Sequence, residues 1–170
     1  MSRILSNSDI KSIHLWISTM KNYNRKGRIK TGKNAKTILQ LKYKMIGLGN
    51  HRIVYDLKNG YVLKVALRKQ GIKNNETEFK IYNIHCPPKL RKHLCPVIEF
   101  GQGWIIMEKM VSKIPINKKY DKMHAELKNK FVMYGIYPKD MHRGNLALSE
   151  TGQITVIDYG NFKLKQGKPY

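Results

Sequence analysis

Lys139-Asp140-Met141-His142-Arg143-Gly144-Asn145 is the stretch on which the reading turns. An Asp and an Asn five positions apart in a loop can converge on one site. The Asp can accept a hydroxyl proton and the Asn carbonyl can ligate a hard cation. The same residue types also make an ordinary polar turn. Asp158, thirteen residues after Asn145, lies in Val156-Ile157-Asp158-Tyr159-Gly160. Here an apolar strand delivers a carboxylate at its C-terminal end, where a magnesium ion on nucleotide phosphates needs oxygen. A strand-ending Asp-x-Gly turn gives the same letters.

Two further motifs lie upstream. Ile46-Gly47-Leu48-Gly49-Asn50-His51-Arg52-Ile53-Val54 carries a Gly-x-Gly whose backbone can approach phosphates, because no Cβ intervenes. It is not a P-loop, since no Gly-Lys-Ser/Thr follows. Strand rather than helix follows it, which argues against a dinucleotide fingerprint. Lys64 sits in Tyr61-Val62-Leu63-Lys64-Val65-Ala66, sharing a strand face with Val62 and Ala66. It can snorkel to solvent or contact phosphate while held by a carboxylate. The candidate carboxylate is Glu78, or less favourably Glu76, on a helix expected over residues 74–84. Glu78 shares a face there with Ile81 and Tyr82.

Taken in order, these motifs resemble the protein-kinase-like superfamily, including its compact RIO and aminoglycoside-kinase-type branches. Gly47, Gly49 and Val54 match G-x-G-x-x-G-x-V, with Arg52 in place of the third Gly. Lys64 matches the ATP-contacting Lys, and Glu78 its helix partner. Trp104 to Met110, with Glu108, resembles the strand and hinge that bind adenine through main chain. Asp140 matches the catalytic Asp, Asn145 the metal-binding Asn, and Asp158-Tyr159-Gly160 the Asp-Phe-Gly motif. The resemblance covers roughly residues 45–162. It implies an ATP–Mg²⁺-dependent phosphotransferase, with Asp140, Lys64 and Glu78 catalytic and Asn145 and Asp158 on the metal. The nucleotide would lie on Gly47, Gly49, Val54, Lys64 and Glu108, with Arg52 adding charge at the phosphates. His142 and Arg143 stand close enough in sequence to touch the transferred phosphate or the acceptor. The implied acceptor is a protein Ser/Thr or the chain itself. The alternative is a pseudokinase that binds an acidic protein or nucleic acid.

The departures bear on that choice. Pro138-Lys139 stands where His-Arg precedes the Asp in typical protein kinases, which points to the atypical branches. Ten residues follow Gly160, too few for a long activation segment. The expected fold is α+β: a kinase-like antiparallel-sheet N-lobe over 45–110 and a strongly reduced helical C-lobe over 111–170. A basic helical extension over 1–44 precedes them. Association between copies can rebuild a missing lobe, and the sequence fixes no oligomeric state.

Charge gives an independent constraint. Lys plus Arg number 33 against 11 Asp plus Glu, a net +22 over 170 residues. Such an excess attracts polyanions. Residues 1–44 hold eleven of the cations and one acid, Asp9, for a local +10. Ser6 or Ser8 can cap a helix through Ile10, Ile13, Leu15, Trp16 and Met20. Asn22–Lys36 reads as an exposed basic loop, either a solvated connector or a polyanion-binding arm. Trp16, Tyr23 and Tyr43 are its candidate base-stacking groups. No apolar run approaches the roughly 20 residues of a membrane span, and Asp9 and Lys11 break any secretion signal. A cytoplasmic protein of bacterial or phage type is the expectation. Cys86 and Cys95 form no C-x-x-C pair, and the basic residues around them oppose a metal.

Overall fold

The structure, a computed structural model, describes residues 2–23, 27–111 and 113–165. Arg25 and Lys26, part of the expected basic arm, lie outside the described residues. The chain divides into two compact units, 1–75 with 98–109 and 76–97 with 110–170.

The first unit opens with α1, Asn7–Thr19. Ser6 is its N-cap and Asp9 closes a capping box, each side chain bonding the other's backbone N–H. The Asp9 carboxylate also accepts the Tyr43 hydroxyl at 3.0 Å. After a 3-10 turn, Met20–Tyr23, comes α2, Arg28–Leu39. The expected loop over 22–36 is therefore helical from Arg28. Its buried face is built from Thr31, Gly32, Ala35 and Leu39. Three of these are small, which hides a helical stripe from a hydrophobicity pattern.

A five-stranded antiparallel sheet follows, formed by β1 (Lys44–Leu48), β2 (Arg52–Asp56), β3 (Tyr61–Ala66), β4 (Val97–Gly101) and β5 (Trp104–Glu108). Its order is β1-β2-β3-β5-β4. Side chains alternate across each strand. Ile53, Tyr55, Leu63, Val65, Trp104 and Ile106 join Ile13, Trp16, Ala35 and Leu39 in one apolar cluster. Helices α1 and α2 thus share the core of the sheet, and the Trp16 indole N–H donates to the Ala66 carbonyl at 2.8 Å. Trp16 is wholly buried, which removes it as a stacking group. The Tyr43 hydroxyl is committed to Asp9, and burial pushes its pKa up to about 12. The side chain of Tyr23 lies outside the description.

Helix α3, Lys69–Lys80, starts five residues earlier than the sequence suggests and runs from the first unit into the second. A π-helical turn, Ile81–His85, and the short α4, Pro88–Arg91, follow it. The rest of the second unit comprises α5 (Lys118–Met133), β6 (Ile136–Tyr137), β7 (Leu146–Leu148), β8 (Ile154–Val156) and β9 (Lys163–Leu164). Asn117 caps α5 by accepting from the Tyr120 N–H. Gly135, at φ 71°, ends that helix in the left-handed conformation Gly takes without strain. The β7–β8 hairpin is joined along β8 by residues 93–95: Val156 N–H donates to the His93 carbonyl and Cys95 N–H to the Val156 carbonyl. Phe162 packs edge-on against Phe131 of α5, with ring centroids 5.7 Å apart. Cys86 and Cys95 are buried free thiols.

Candidate functional site

In the first unit, register sets three candidate residues in one row. Gly47 pairs with Val54, Val54 with Lys64, and Lys64 with Ile105. Cross-strand partners share a sheet face. The Val54 and Lys64 side chains therefore stand on the face opposite the apolar cluster, with Gly47 leaving the end of the row open. A Cβ on Gly47 would sit 3.4 Å from the Val54 Cβ, in ordinary contact range. A β-bulge between Met45 and Gly47 skews β1 at this point.

The tip of the glycine hairpin is tight. Gly49 N–H donates to the Arg52 carbonyl at 2.9 Å, leaving Asn50 and His51 as a two-residue loop. The His51 carbonyl accepts the Leu67 N–H at 2.7 Å, and a Cβ on Gly71 would approach that oxygen to 2.1 Å. Gly71 is thus required where α3 meets the hairpin tip. Arg52 departs from expectation. It is buried, and its guanidinium donates to the Asn75 carbonyl oxygen at 3.1 Å. That bond turns the guanidinium toward Asn75 of α3.

At the far end of β5, Glu108 is exposed and pairs with Tyr61. The next residue, Lys109, donates its backbone N–H to the Gly60 carbonyl and its ammonium to Asp56 at 2.7 Å. That ammonium, with the Lys58 N–H, holds the Asp56 carboxyl below its ordinary range.

The second unit carries Glu78, Asp140, Asn145 and Asp158. Three of them are knitted together through the β7–β8 hairpin. Asn145 precedes β7, and its carbonyl accepts the Ile157 N–H at 2.8 Å, so Asn145 lies beside the residue preceding Asp158. The Asn145 side-chain amide donates to the Asp140 carbonyl at 2.8 Å. With its nitrogen so committed, the oxygen of that amide is the atom left to act as a ligand. Asp140 has φ 62°, a left-handed conformation that Asp tolerates better than most residues. Strained backbone of this kind collects at functional positions.

The Asp140 carboxylate is held on both oxygens. Oδ2 accepts from the Asn161 amide at 3.1 Å, and His142 Nε2 lies 3.4 Å from Oδ1. His142 Nδ1 accepts the Gly144 N–H, which places the proton of the neutral ring on Nε2, toward Asp140. Asn161 follows the Asp-Tyr-Gly turn and reaches back 21 positions, so no local motif marks it. Its approach is secured by β9, which pairs with β6 just ahead of the loop. Helix α5 supports the loop from the other side. His124 Nε2–H donates to the Met141 carbonyl at 2.8 Å. Arg143 bonds the Asp121 carboxylate and the Pro115 carbonyl, so its guanidinium braces the loop rather than reaching for phosphate.

Glu78 is wholly buried, and its carboxylate accepts the Tyr159 N–H at 3.1 Å. The Tyr159 hydroxyl donates to the Cys95 carbonyl at 2.8 Å. Burial first, then the Glu78 charge, raises the Tyr159 pKa well above the ordinary phenol value. Asp158 is thus followed by a residue fixed at both its backbone and its hydroxyl. Among the described residues no group of three or more His, Cys, Asp and Glu has metal-holding geometry.

A five-stranded sheet with a lysine on its third strand, followed by a loop–hairpin unit bearing an Asp, an Asn and an Asp-Tyr-Gly turn, defines a protein-kinase-like α+β fold. Solved structures of the bifunctional kinase–methyltransferase WbdD share it. One matches with TM-score 0.56 and 15% identity over 71% of this chain and 32% of that one. A complex of WbdD with a kinase inhibitor matches with TM-score 0.56 and 15% identity over 76% and 43%. A third WbdD structure gives 0.55 and 14% over 79% and 44%. The chain thus spans about a third to under half of the length of these proteins. No protein-family model and no curated protein matches the sequence. No helix among the described residues is long and apolar enough to cross a membrane.

Proposed function

We propose that the chain binds a magnesium–nucleoside triphosphate and transfers its terminal phosphoryl group to a hydroxyl. The observation that carries this reading is the double bonding of Asn145, amide to the Asp140 carbonyl and carbonyl to the Ile157 N–H. Asp140, Asn145 and the residue preceding Asp158 are linked in one hydrogen-bonded run, which supports reading them as a proton acceptor and two oxygen ligands. One carboxylate and one amide oxygen suit Mg²⁺, which takes few protein ligands and completes its shell with phosphate and water. When bound, that ion supplies neutralisation of phosphate charge.

In this reading Asp158 and Asn145 hold the ion, and Lys64, in its row with Gly47 and Val54, meets the phosphates. The main chain around Glu108 receives the base. Asp140 takes the proton of the acceptor hydroxyl. The acceptor oxygen bonds to the terminal phosphorus as the bond to the departing diphosphate oxygen breaks. Positioning and charge supply the rate, without covalent chemistry on the protein.

The test is transfer of label from γ-labelled ATP to the chain itself and to Ser/Thr-containing peptides. Wild-type transfer that Asp140→Asn abolishes supports the reading. Nucleotide binding without transfer makes the chain a pseudokinase instead, and loss of both rejects the reading.

A further inference from the structure

We propose that the outward face of α2 is a docking surface for the phosphodiester backbone of a nucleic acid. This rests on charge and packing in the first unit and stands apart from the phosphotransfer reading. Between Asp9 and Asp56 the sequence has eleven Lys and Arg and no acid. Asp9 itself is buried and committed to Ser6 and Tyr43, so it does not offset the surface charge beside it.

Within that run, α2 sorts its residues by face. Thr31, Gly32, Ala35 and Leu39 are buried, while Arg28, Lys30, Lys33 and Lys36 are exposed. At about 100° per residue, the three lysines occupy about 120° of the circumference opposite the buried face. From Lys30 to Lys36 the rise is about 9 Å, which spans the axial length of two to three phosphates on one strand, and Arg28 is exposed in the first turn. An open hollow of about 700 Å³ lies at the start of this face, lined by Gly27, Arg28, Ile29, Lys30 and Lys33.

Two comparisons within the molecule sharpen the assignment. Helix α5 is as rich in exposed lysine, with Lys118, Lys119, Lys122, Lys128 and Lys130, but Asp121 and Glu126 are exposed among them. Mixed charge of that kind is a solvated face. A membrane surface is another polyanion to consider. An interfacial helix needs an apolar face to insert, and the buried side of α2 already faces the core, leaving Ile29 as the large apolar side chain exposed on it.

The experiment measures binding of a labelled, mixed-sequence, single-stranded oligonucleotide of about 20 nucleotides across about 50–200 mM salt. Three proteins are compared. They are the full chain, a quadruple α2 variant (Arg28→Gln, Lys30→Gln, Lys33→Gln, Lys36→Gln) and a quadruple α5 variant (Lys118→Gln, Lys122→Gln, Lys128→Gln, Lys130→Gln). Each variant removes four charges. Gln keeps helix propensity close to that of Lys.

The full chain should bind with an affinity that falls steeply with salt. The α2 variant should lose at least about tenfold at low salt and lower the log–log slope by about 2–3, at about 0.7 per phosphate. The α5 variant should retain most of the binding. Equal loss in both variants means diffuse charge and overturns the proposal, as does a full chain that does not bind. Adsorption to phosphatidylserine vesicles that depends on α2, with oligonucleotide binding unaffected, also overturns it. Should the α2 variant fail to fold, acetylation footprinting of the full chain decides. Protection of Lys30, Lys33 and Lys36 by the oligonucleotide supports the surface, and unchanged labelling there refutes it.

Discussion

The Tyr159 N–H donates to the Glu78 carboxylate at 3.1 Å, joining the end of α3 to the Asp-Tyr-Gly turn 81 residues later. A wholly buried carboxylate is costly unless its oxygens are engaged, and this bond is part of that engagement. Truncation to Glu78→Ala leaves a buried donor without its acceptor, a loss of about 1–3 kcal/mol. Glu78→Gln keeps an oxygen in place and should cost less. Urea denaturation of both variants checks the order, and equal stability of Ala and wild type would contradict it.

Gly71 offers a steric test of the glycine hairpin. Gly71→Ala drives a methyl group into the His51 carbonyl, 2.1 Å from the ideal Cβ position, whereas Gly49→Ala meets nothing nearer than 3.4 Å. The first should destabilise by about 1–3 kcal/mol, in the range of overpacking. The second should leave stability nearly unchanged and weaken nucleotide binding. Thermal melts with and without nucleotide separate the two effects.

Asn161 is argued to position Asp140 rather than to touch substrate. Removing its amide in Asn161→Ala frees the Asp140 Oδ2 atom. The expected result is a fall in kcat of about 10- to 100-fold with the KM for ATP unchanged, since misplacement of a reacting group costs rate rather than binding. A variant that changed KM alone would remove Asn161 from this role.

Stability should fall on mild acidification. Burial lowers the His93 pKa below 6.5, helped by the charges of Lys92 and Lys130 and opposed by its bond to the Ile154 carbonyl. His51 is lowered too, by burial and by Arg68 and Arg52. For such groups the unfolded chain binds the proton more readily. Stability is then fully present above the ordinary imidazole value and is lost as pH falls through 6.5 toward the folded value. The melting temperature should drop over that window, and His93→Gln should shallow the slope. A slope identical to wild type would show that His93 does not contribute.

The strands were legible because their chemistry is local. Leu63 and Val65 alternate with Lys64, and Asn59-Gly60 marks the hairpin, so β3 falls at Tyr61–Ala66 as the sequence suggests. Helix α2 was not, because small residues rather than large apolar ones form its inner face. Gly32 lies so close to the Leu48 side chain that a Cβ there would come within 2.7 Å of it. Gly71 made the start of α3 look like a loop, yet it is there to admit the His51 carbonyl. Among the candidate site residues, Asp140, Asn145 and Asp158 were legible from residue type and motif order together. It could not reveal Asn161 or the bracing of Arg143 by Asp121, since both depend on chain returning from far along the sequence.

The central claim is that Lys64 and Asp158 serve one metal–nucleotide, and ligand-dependent melting tests it most directly. At ATP–Mg²⁺ near 100 times Kd, binding adds about 2.7 kcal/mol, or about 5–10 °C for a chain of this size. The wild-type shift should require the metal. Lys64→Met and Asp158→Asn should each fold and each lose the shift. A wild-type melting temperature unmoved by ATP–Mg²⁺, or a full shift in both variants, would contradict the account.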